Sequence, residues 1–490
     1  MIDLIKFLLI AIYFLTAIAM MIYGLNAYVM IFLFRRNLKM ASEKRVQILK
    51  TFENRQDNGD LPFVTTQLPV YNEFNVAERI IRSTCGIDYP TDKHEIQVLD
   101  DSSDETADLI DRMVEELAGE GHDIKVIRRE DRTGYKAGAL AEGLKTATGE
   151  YIAVFDADFV PPKEYLYKTI PYFLTDDNLG LVQARWGHLN RKSSLLTRAQ
   201  SIGIDGHFMV EQSARNWGGL FMNFNGTAGV WRKEAIHDGG GWQWDTLTED
   251  MDLSYRVQFK GWSTFYTPDL VVPAEIPEDI NAFKSQQFRW AKGSIETAIK
   301  LLPTLFRMEV PLFKKMEAFF HLTHYFVHPF MLILAILAMP VMIAIKAGPG
   351  PVLFWFIAVI LLFSMSAPSA LYLVSQRAAY NNWFSRIIWL PVLIVIGTGI
   401  AISNSRAVFE ALIGKKSGFI RTPKKGDTEQ KVYQTTLPVS ALIEIILGVY
   451  CSISFFAYLS YGHYLIGPFL AIYAIGFLYT GFLTLAHHNN

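Results

Sequence analysis

Apolar residues in this chain are gathered into blocks towards its two ends, and that segregation constrains the fold more than any other feature. Leu4–Phe34 is the first block. Phe319–Ile345, Val352–Val374, Ile387–Ile402, Leu437–Tyr458 and Tyr464–Leu485 follow only after a long stretch of mixed polarity. A helix needs roughly 20 apolar residues to cross the hydrocarbon core, where no water satisfies backbone groups. The chain therefore divides into a soluble part and several spans. With 51% hydrophobic and 19% charged residues, it is too apolar for an ordinary soluble enzyme and too charged for membrane helices alone. Lys+Arg 46 against Asp+Glu 48 leaves no net field to draw it to nucleic acid. Two cysteines, Cys85 and Cys451, exclude a disulfide scaffold and give no metal or redox signal.

Charge sets the expected topology. Leu4–Phe34 is followed by Arg35, Arg36, Lys39, Lys44 and Arg45, the reverse of a signal peptide's charge order, so it reads as a retained span. Basic flanks stay in the cytoplasm, which places the following domain inside. Lys346–Pro351 makes an outer hairpin, while Arg406–Lys425, with six basic residues, belongs inside. That parity leaves no room for Ile387–Ile402 as a full crossing. It is short and carries Pro391, Gly397 and Gly399, so an interfacial or re-entrant segment is expected. Five crossings result, with the C-terminus inside. The expected divisions are residues 1–36 for the first span, 37–280 for the soluble domain, 281–316 for interfacial helices and 317–490 for the remaining membrane region.

Within the soluble part, short β-type runs alternate with helical ones. Phe63–Leu68, Glu95–Leu99, Ile124–Ile127 and Tyr151–Phe155 read as strands; Val76–Cys85, Glu105–Leu117 and Ala137–Thr146 read as helices. This alternation predicts an α/β fold with a mainly parallel sheet and right-handed crossovers. Ligands bind such sheets beyond the carboxyl ends of their strands. Asp100 and Asp101 follow one strand there, and Asp156 and Asp158 another.

Each candidate motif carries an ordinary structural explanation beside its chemical one. Asp156-Ala157-Asp158 could share a hard divalent cation and so neutralise a diphosphate, or could simply form a turn. Asp100-Asp101-Ser-Ser-Asp104 suits a ribose or base; helix capping explains Asp104 but not two adjacent acids after a buried strand. Lys136 and Gly138 at a helix start suit a phosphate, or an exposed turn. Asp250, after Thr248 and Glu249, is placed either as a helix cap or as a general base towards a hydroxyl. In Gln286-Gln-Phe-Arg289-Trp290 the Arg can grip a diphosphate and the Trp can stack on a sugar; an aromatic–basic interfacial belt has the same composition. Phe224-Asn225-Gly226-Thr-Ala-Gly229 suggests a close backbone approach to a ligand, or a plain loop. His207, His324 and His328 have no acidic or Cys partner at ligand spacing, so core or interface roles are expected.

The order of these motifs is more specific than any one of them. Gln67-Leu-Pro-Val-Tyr71-Asn-Glu73, Asp100-Asp101, Asp156-Ala-Asp158, Thr248-Glu249-Asp250 and Gln286-x-x-Arg289-Trp290 resemble the processive inverting glycosyltransferases of family 2, which include the cellulose, hyaluronan and chitin synthases. Gly134-Tyr-Lys-Ala-Gly-Ala-Leu, Val182-Gln-Ala-Arg-Trp186 and Phe224-Asn-Gly-Thr-Ala-Gly-Val-Trp-Arg232 narrow the likeness to the cellulose-synthase-like mannan and glucan synthases. The resemblance covers about 62–292 strongly and the membrane region less so. It implies a GT-A-like cytoplasmic domain and inversion of an α-linked donor to a β-linked, 1,4-type glycan. Tyr71, Glu73, Asp100, Asp101 and Lys136 would hold the donor, with Gln286 and Arg289 on its diphosphate. Asp156 and Asp158 would bind Mg²⁺ or Mn²⁺, and Asp250 would deprotonate the acceptor. Trp290, with Asn225 and Glu249, would meet the acceptor sugar. In the segment 414–426, Phe419-Ile-Arg-Thr422-Pro-Lys424 resembles the gating loop of cellulose synthases, with Arg421 where an apolar residue is usual.

A polar polymer needs a conduit through lipid, and Glu317, His321, His324, Tyr325 and His328 are expected at its entrance. The expected location is a multi-pass protein of a bacterial inner membrane, or of the Golgi in a eukaryote. GDP-mannose and UDP-glucose both stay open as donors, the growing β-glycan and the bilayer are the other partners, and the motifs do not speak to accessory subunits. Two other readings share parts of the pattern. A glycosyltransferase making a glycolipid would need no conduit. A transporter with a regulatory domain would leave the acidic motifs idle and lacks paired inverted repeats.

Overall fold

The computed structural model describes residues 2–53, 61–345, 351–416, 440–462, 464 and 467–487. The short apolar runs form β1 (Val64–Val70), β2 (His94–Asp100), β3 (Asp123–Ile127) and β4 (Tyr151–Val154). These pair in parallel in the order β3-β2-β1-β4. Three strands that the sequence pattern did not reveal complete the sheet: β5 (Leu179–His188), β6 (Gly229–Arg232) and β7 (Ser263–Ala274). β6 is antiparallel to β4 and β5, and β7 is parallel to β5. Every strand but β6 therefore runs the same way, and Val70, Asp100, Val154, His188 and Ala274 end along one edge. β6 starts at that edge, directly after Asn225–Ala228.

Side-chain alternation along the strands feeds two cores. Helices Phe74–Cys85 and Thr106–Gly119 cover one face, where Ile80, Ile81, Ile110 and Met113 pack with Leu68, Val98 and Ala153. Helix Tyr135–Thr146 covers the other, with Leu140 and Leu144 against Leu99 and Val154. Neighbours such as Val98 and Leu99 thus serve opposite cores, the period of two that a strand imposes. Parallel strands joined by crossover helices require both faces to be covered. Ile80 is fully buried, and its truncation to Ala costs about 2–5 kcal/mol.

The N-terminal helix runs unbroken over Ile2–Glu53, past the expected boundary at residue 36. Its basic second half is made of good helix formers and docks on the soluble domain through Arg45, which donates to Asp269 at 2.8 Å and lies over Trp217. Among the described residues, four helices are long and apolar enough to cross a membrane: Asp3–Glu53, Leu312–Ala344, Ser440–Ser460 and Gly467–Ala486. A fifth span arises if Trp383–Gly399 and Ala401–Leu412, bent by 44°, count as one. That break falls in the segment expected to be re-entrant. The block expected at 352–374 lies in helix Pro351–Ala379, which packs on the N-terminal helix, with Tyr28 donating to Ser366 at 2.9 Å. The protein is therefore a membrane protein.

Two buried polar clusters join the soluble domain to these helices. Asp205 accepts from Tyr380, Gln376 and Arg386, and His188 at the end of β5 lies 3.0 Å from it. Lys284 donates to both oxygens of Glu444 and to Thr484.

Candidate active site

The carboxyl edge of the sheet opens into a cleft of about 170 Å³ whose walls are the loops following the strands. Tyr71 and Glu73 follow β1, Asp101 follows β2, and Asp156 and Asp158 follow β4. Glu275 follows β7, and Asn225 precedes β6. Thr248, Glu249 and Asp250 close one side, and Arg132 and Lys136 another. The roof is helix Ile280–Arg307. Gln286, Arg289 and Trp290 share one face of it because residues three and four apart do so, and all three line the cleft. This helix sits directly on the Thr248 segment. A Cβ at Gly293 would fall 2.8 Å from the Thr248 nitrogen, and Leu247 N–H donates to Glu296 at 2.9 Å.

At one end of the cleft the Arg132 guanidinium lies 3.1 Å from the centre of the Tyr71 ring. Beside it, Asp101 accepts from Arg129 Nε at 2.8 Å. Asp100 does not join them. Consecutive strand residues point to opposite faces, and Asp100 is 2% exposed, its carboxylate accepting from Arg128 Nε at 2.8 Å and Ser102 N–H at 2.9 Å. Asp100, expected on the donor, is thus placed in an ion pair with Arg128, the residue that follows β3, and is not among the residues that line the cleft.

Lys136 donates to Asp156 and, at 2.8 Å, to the Gly226 carbonyl. Burial alone would lower the ammonium's proton affinity, but Asp156 and Glu249 outweigh it and hold the pKa up. Among the described residues no group of three or more His, Cys, Asp or Glu is placed to hold a metal. Asp156 and Asp158 both line the cleft, and their carboxylate oxygens are of the kind that would suit a hard divalent cation.

Asp250 is the second residue of helix Glu249–Phe259, with Thr248 at the cap position, so capping does not account for it. Burial, then the adjacent Glu249 carboxylate, push its pKa up to about 7 against the pull of Lys136 and Arg289. A carboxyl with that proton affinity is matched to general-base work near neutrality. The neighbouring loop turns through Gly226 at φ +83°, where a Cβ would stand 3.1 Å from Asp250 Oδ2.

A second cavity, of about 420 Å³, shares Trp186, Asn225, Asp250, Gln286 and Trp290 with the first and runs on among the membrane helices. His321, His324, Tyr325 and His328 line it. Glu317 does not: it is buried and accepts from Asn26 Nδ2 on both oxygens, at 3.0 and 2.9 Å, which corrects the expected entrance set. His207 also lines this cavity, and it does have an acidic neighbour at helical spacing, its Nδ1 lying 2.9 Å from Glu211 Oε2 one turn along its helix. Phe419, Thr422 and Lys424 lie outside the described residues. Arg129, Arg132, Trp186 and Glu275 are parts of the cleft and its support that the site expectations omitted. Trp186 and Glu275 belong to the ends of β5 and β7, and reading those strands would have placed both.

A parallel α/β sheet of the GT-A-like kind, with an acidic cleft at its carboxyl edge and apolar helices before and after it, is the build of a membrane-bound glycosyltransferase. Residues 62–293 match the model of the family described as Glycosyltransferase like family 2. Glucomannan 4-beta-mannosyltransferase 9 of Arabidopsis thaliana is 33% identical over 454 residues, 88% of this chain and 83% of that protein. Probable glucomannan 4-beta-mannosyltransferase 11 of the same plant is 33% identical over 447 residues, 86% of this chain and 97% of its own. Probable glucomannan 4-beta-mannosyltransferase 7 of Oryza sativa subsp. japonica reaches 42% over 268 residues, which is 54% of this chain and 46% of the rice protein. A solved structure, mannosyltransferase PcManGT from Pyrobaculum calidifontis, is similar at 19% identity and a TM-score of 0.49, over 80% of this chain and 99% of that one. The chain belongs to glycosyltransferase family 2, in its cellulose-synthase-like branch, and is an inverting hexosyltransferase.

Proposed function

We propose that this chain extends a β-1,4-linked mannan with mannose from GDP-mannose and feeds the polymer into the membrane, its catalytic domain facing the cytoplasm. The observation that carries this reading is the sharing of Asp250 and Trp290 by the two cavities. A base and a sugar-stacking ring stand where a cleft for a nucleotide sugar meets a passage among membrane helices. The names of the matched plant relatives supply the sugar and the linkage.

In this mechanism the base stacks at Tyr71 and Arg132, and Asp101 and Glu73 hold the nucleoside. Arg289, Gln286 and Lys136 take the diphosphate. Asp156 and Asp158 would hold Mg²⁺ or Mn²⁺, which when bound stabilises the charge that develops on the leaving diphosphate. The acceptor's terminal sugar stacks on Trp290, near Glu249 and Asn225. Its hydroxyl proton passes to Asp250 as the oxygen bonds to the anomeric carbon from the face opposite the diphosphate. The anomeric C–O bond breaks and its electron pair leaves with the diphosphate, so the configuration inverts.

A donor screen on detergent-solubilised protein tests the reading. GDP-mannose, UDP-glucose and UDP-N-acetylglucosamine are each supplied radiolabelled, and products are sized and digested with linkage-specific hydrolases. The expected result is a long product from GDP-mannose that β-1,4-mannanase degrades. A long product from UDP-glucose alone would overturn the sugar assignment. A short, lipid-soluble product would overturn the polymer.

A further inference from the structure

A seven-residue π-helix, Gly206–Gln212, interrupts the helical run behind the acceptor end of the cleft. Such wide turns are uncommon and gather at functional sites. This one brings His207, Glu211 and Gln212 to the loop that carries Asn225. His207 Nδ1 is 2.9 Å from Glu211 Oε2, and His207 Nε2 is 2.9 Å from Asn225 Nδ2. Gln212 Nε2 donates to Asn225 Oδ1 and also, at 2.8 Å, to the Asn223 carbonyl.

The Gln212 contacts orient the Asn225 amide, and that orientation sets the arrangement of protons. With Asn225 Nδ2 as the donor, His207 Nε2 presents its lone pair, and the ring N–H lies on Nδ1, facing the Glu211 carboxylate. The Gln212 amide, fixed by a backbone carbonyl, then meets the oxygen of Asn225. One Asn225 N–H is used by His207. The other remains on a residue that lines both cavities, next to the glycine that abuts Asp250.

We propose that Glu211 and His207 form a positioning pair that locks the Asn225 amide so that its second N–H holds the attacking hydroxyl of the acceptor against Asp250. The inference rests on Asp250 being the base in the reading above. A hydroxyl has one proton and two lone pairs. The proton goes to the Asp250 carboxylate, one lone pair accepts from Asn225, and the other forms the bond to the anomeric carbon as the bond to the diphosphate oxygen breaks. If the amide turned over, its oxygen would face the hydroxyl's lone pair and push it off line. The ligand class is thus a sugar hydroxyl, and the pair acts on transfer rather than on donor binding.

The test compares His207→Ala, His207→Gln, Glu211→Leu, Glu211→Gln and Asn225→Asp with the parent enzyme, using GDP-mannose and a β-1,4-linked manno-oligosaccharide. Glutamine at 207 can still accept from Asn225, and glutamine at 211 can still accept from His207. Expected are kcat losses of about tenfold to a hundredfold, as misplaced reactants give, in H207A, E211L and N225D. KM for GDP-mannose should stay within about twofold, and more than one GDP should be released per sugar incorporated as water competes. H207Q and E211Q should recover most of the rate. Unchanged kcat in H207A and E211L, a loss confined to donor KM, or no recovery in the glutamine variants would overturn the lock. Where an alanine or leucine variant folds poorly, the better-preserved N225D and H207Q decide by the same ratio of GDP to sugar. D250N measured alongside separates the two ideas. Full transfer by D250N sinks the base assignment itself, whereas a dead D250N with a normal H207A sinks only the positioning pair.

Discussion

Burial beside Glu249 raises the Asp250 carboxyl from an ordinary 3.8 to about 7, and the raised affinity has a thermodynamic consequence. In the unfolded chain the group ionises near its ordinary value, so wild-type stability declines as pH rises from about 4 through 7. Asn cannot ionise and escapes that decline. D250N should therefore gain melting temperature over wild type progressively from pH 4 to pH 8, measured by thermal denaturation in detergent. In the same variant transfer should fall by about 10²–10⁴-fold, the usual worth of a general base, while GDP binding persists. An equal melting gap at both ends of the range would refute the raised carboxyl. At the proposed metal pair, D158A should weaken GDP-mannose binding in Mn²⁺ and lose most of the difference that a chelator makes in wild type. A variant whose binding still responds fully to Mn²⁺ would remove Asp158 from the cation site.

Helix Ile280–Arg307 is the element on which the site depends, because it carries Gln286, Arg289 and Trp290 and is gripped from both sides. On the soluble side, an added Cβ at Gly293 would collide with Thr248 backbone, so G293A should displace the helix from Asp250. A rate loss of about tenfold to a hundredfold is expected, read as kcat from GDP release. On the membrane side, Lys284 is anchored by Glu444 and Thr484. K284A leaves the Glu444 charge buried and unpaired, at about 3–5 kcal/mol, whereas replacing both partners with leucine should cost much less. Unfolding of the two variants in detergent checks the difference. β1 to β3 were legible because each pairs an apolar run with a following helix, a repeat that hydrophobic period alone exposes, and β4 because its apolar run ends at Asp156-Ala-Asp158. β5 to β7 escaped because long loops and irregular helices separate them, and β6 has only four residues. The separate settings of Asp100 and Asp101 were hidden for a related reason: they are adjacent in sequence, while the pleat buries Asp100 and leaves Asp101 on the cleft.

For the whole molecule, the residues shared by the two cavities are the ground on which export is proposed to follow transfer. In sealed inverted vesicles supplied with GDP-mannose outside, polymer should accumulate in the lumen, protected from added β-1,4-mannanase until detergent is present. H324A/Y325A should lower the protected fraction. Complete digestion without detergent would detach the membrane passage from synthesis. The division into soluble and membrane parts, the parallel α/β repeat and the order of acidic and aromatic motifs can all be read along the chain. Those are local properties: hydrophobic period, charge flanks and strand ends are written along the chain. Which groups meet was decided only by the tertiary structure. Residues such as His207 and Asn225, or Lys284 and Glu444, are remote in sequence, and their partnership depends on how strand direction, helix face and a π-turn aim side chains in space.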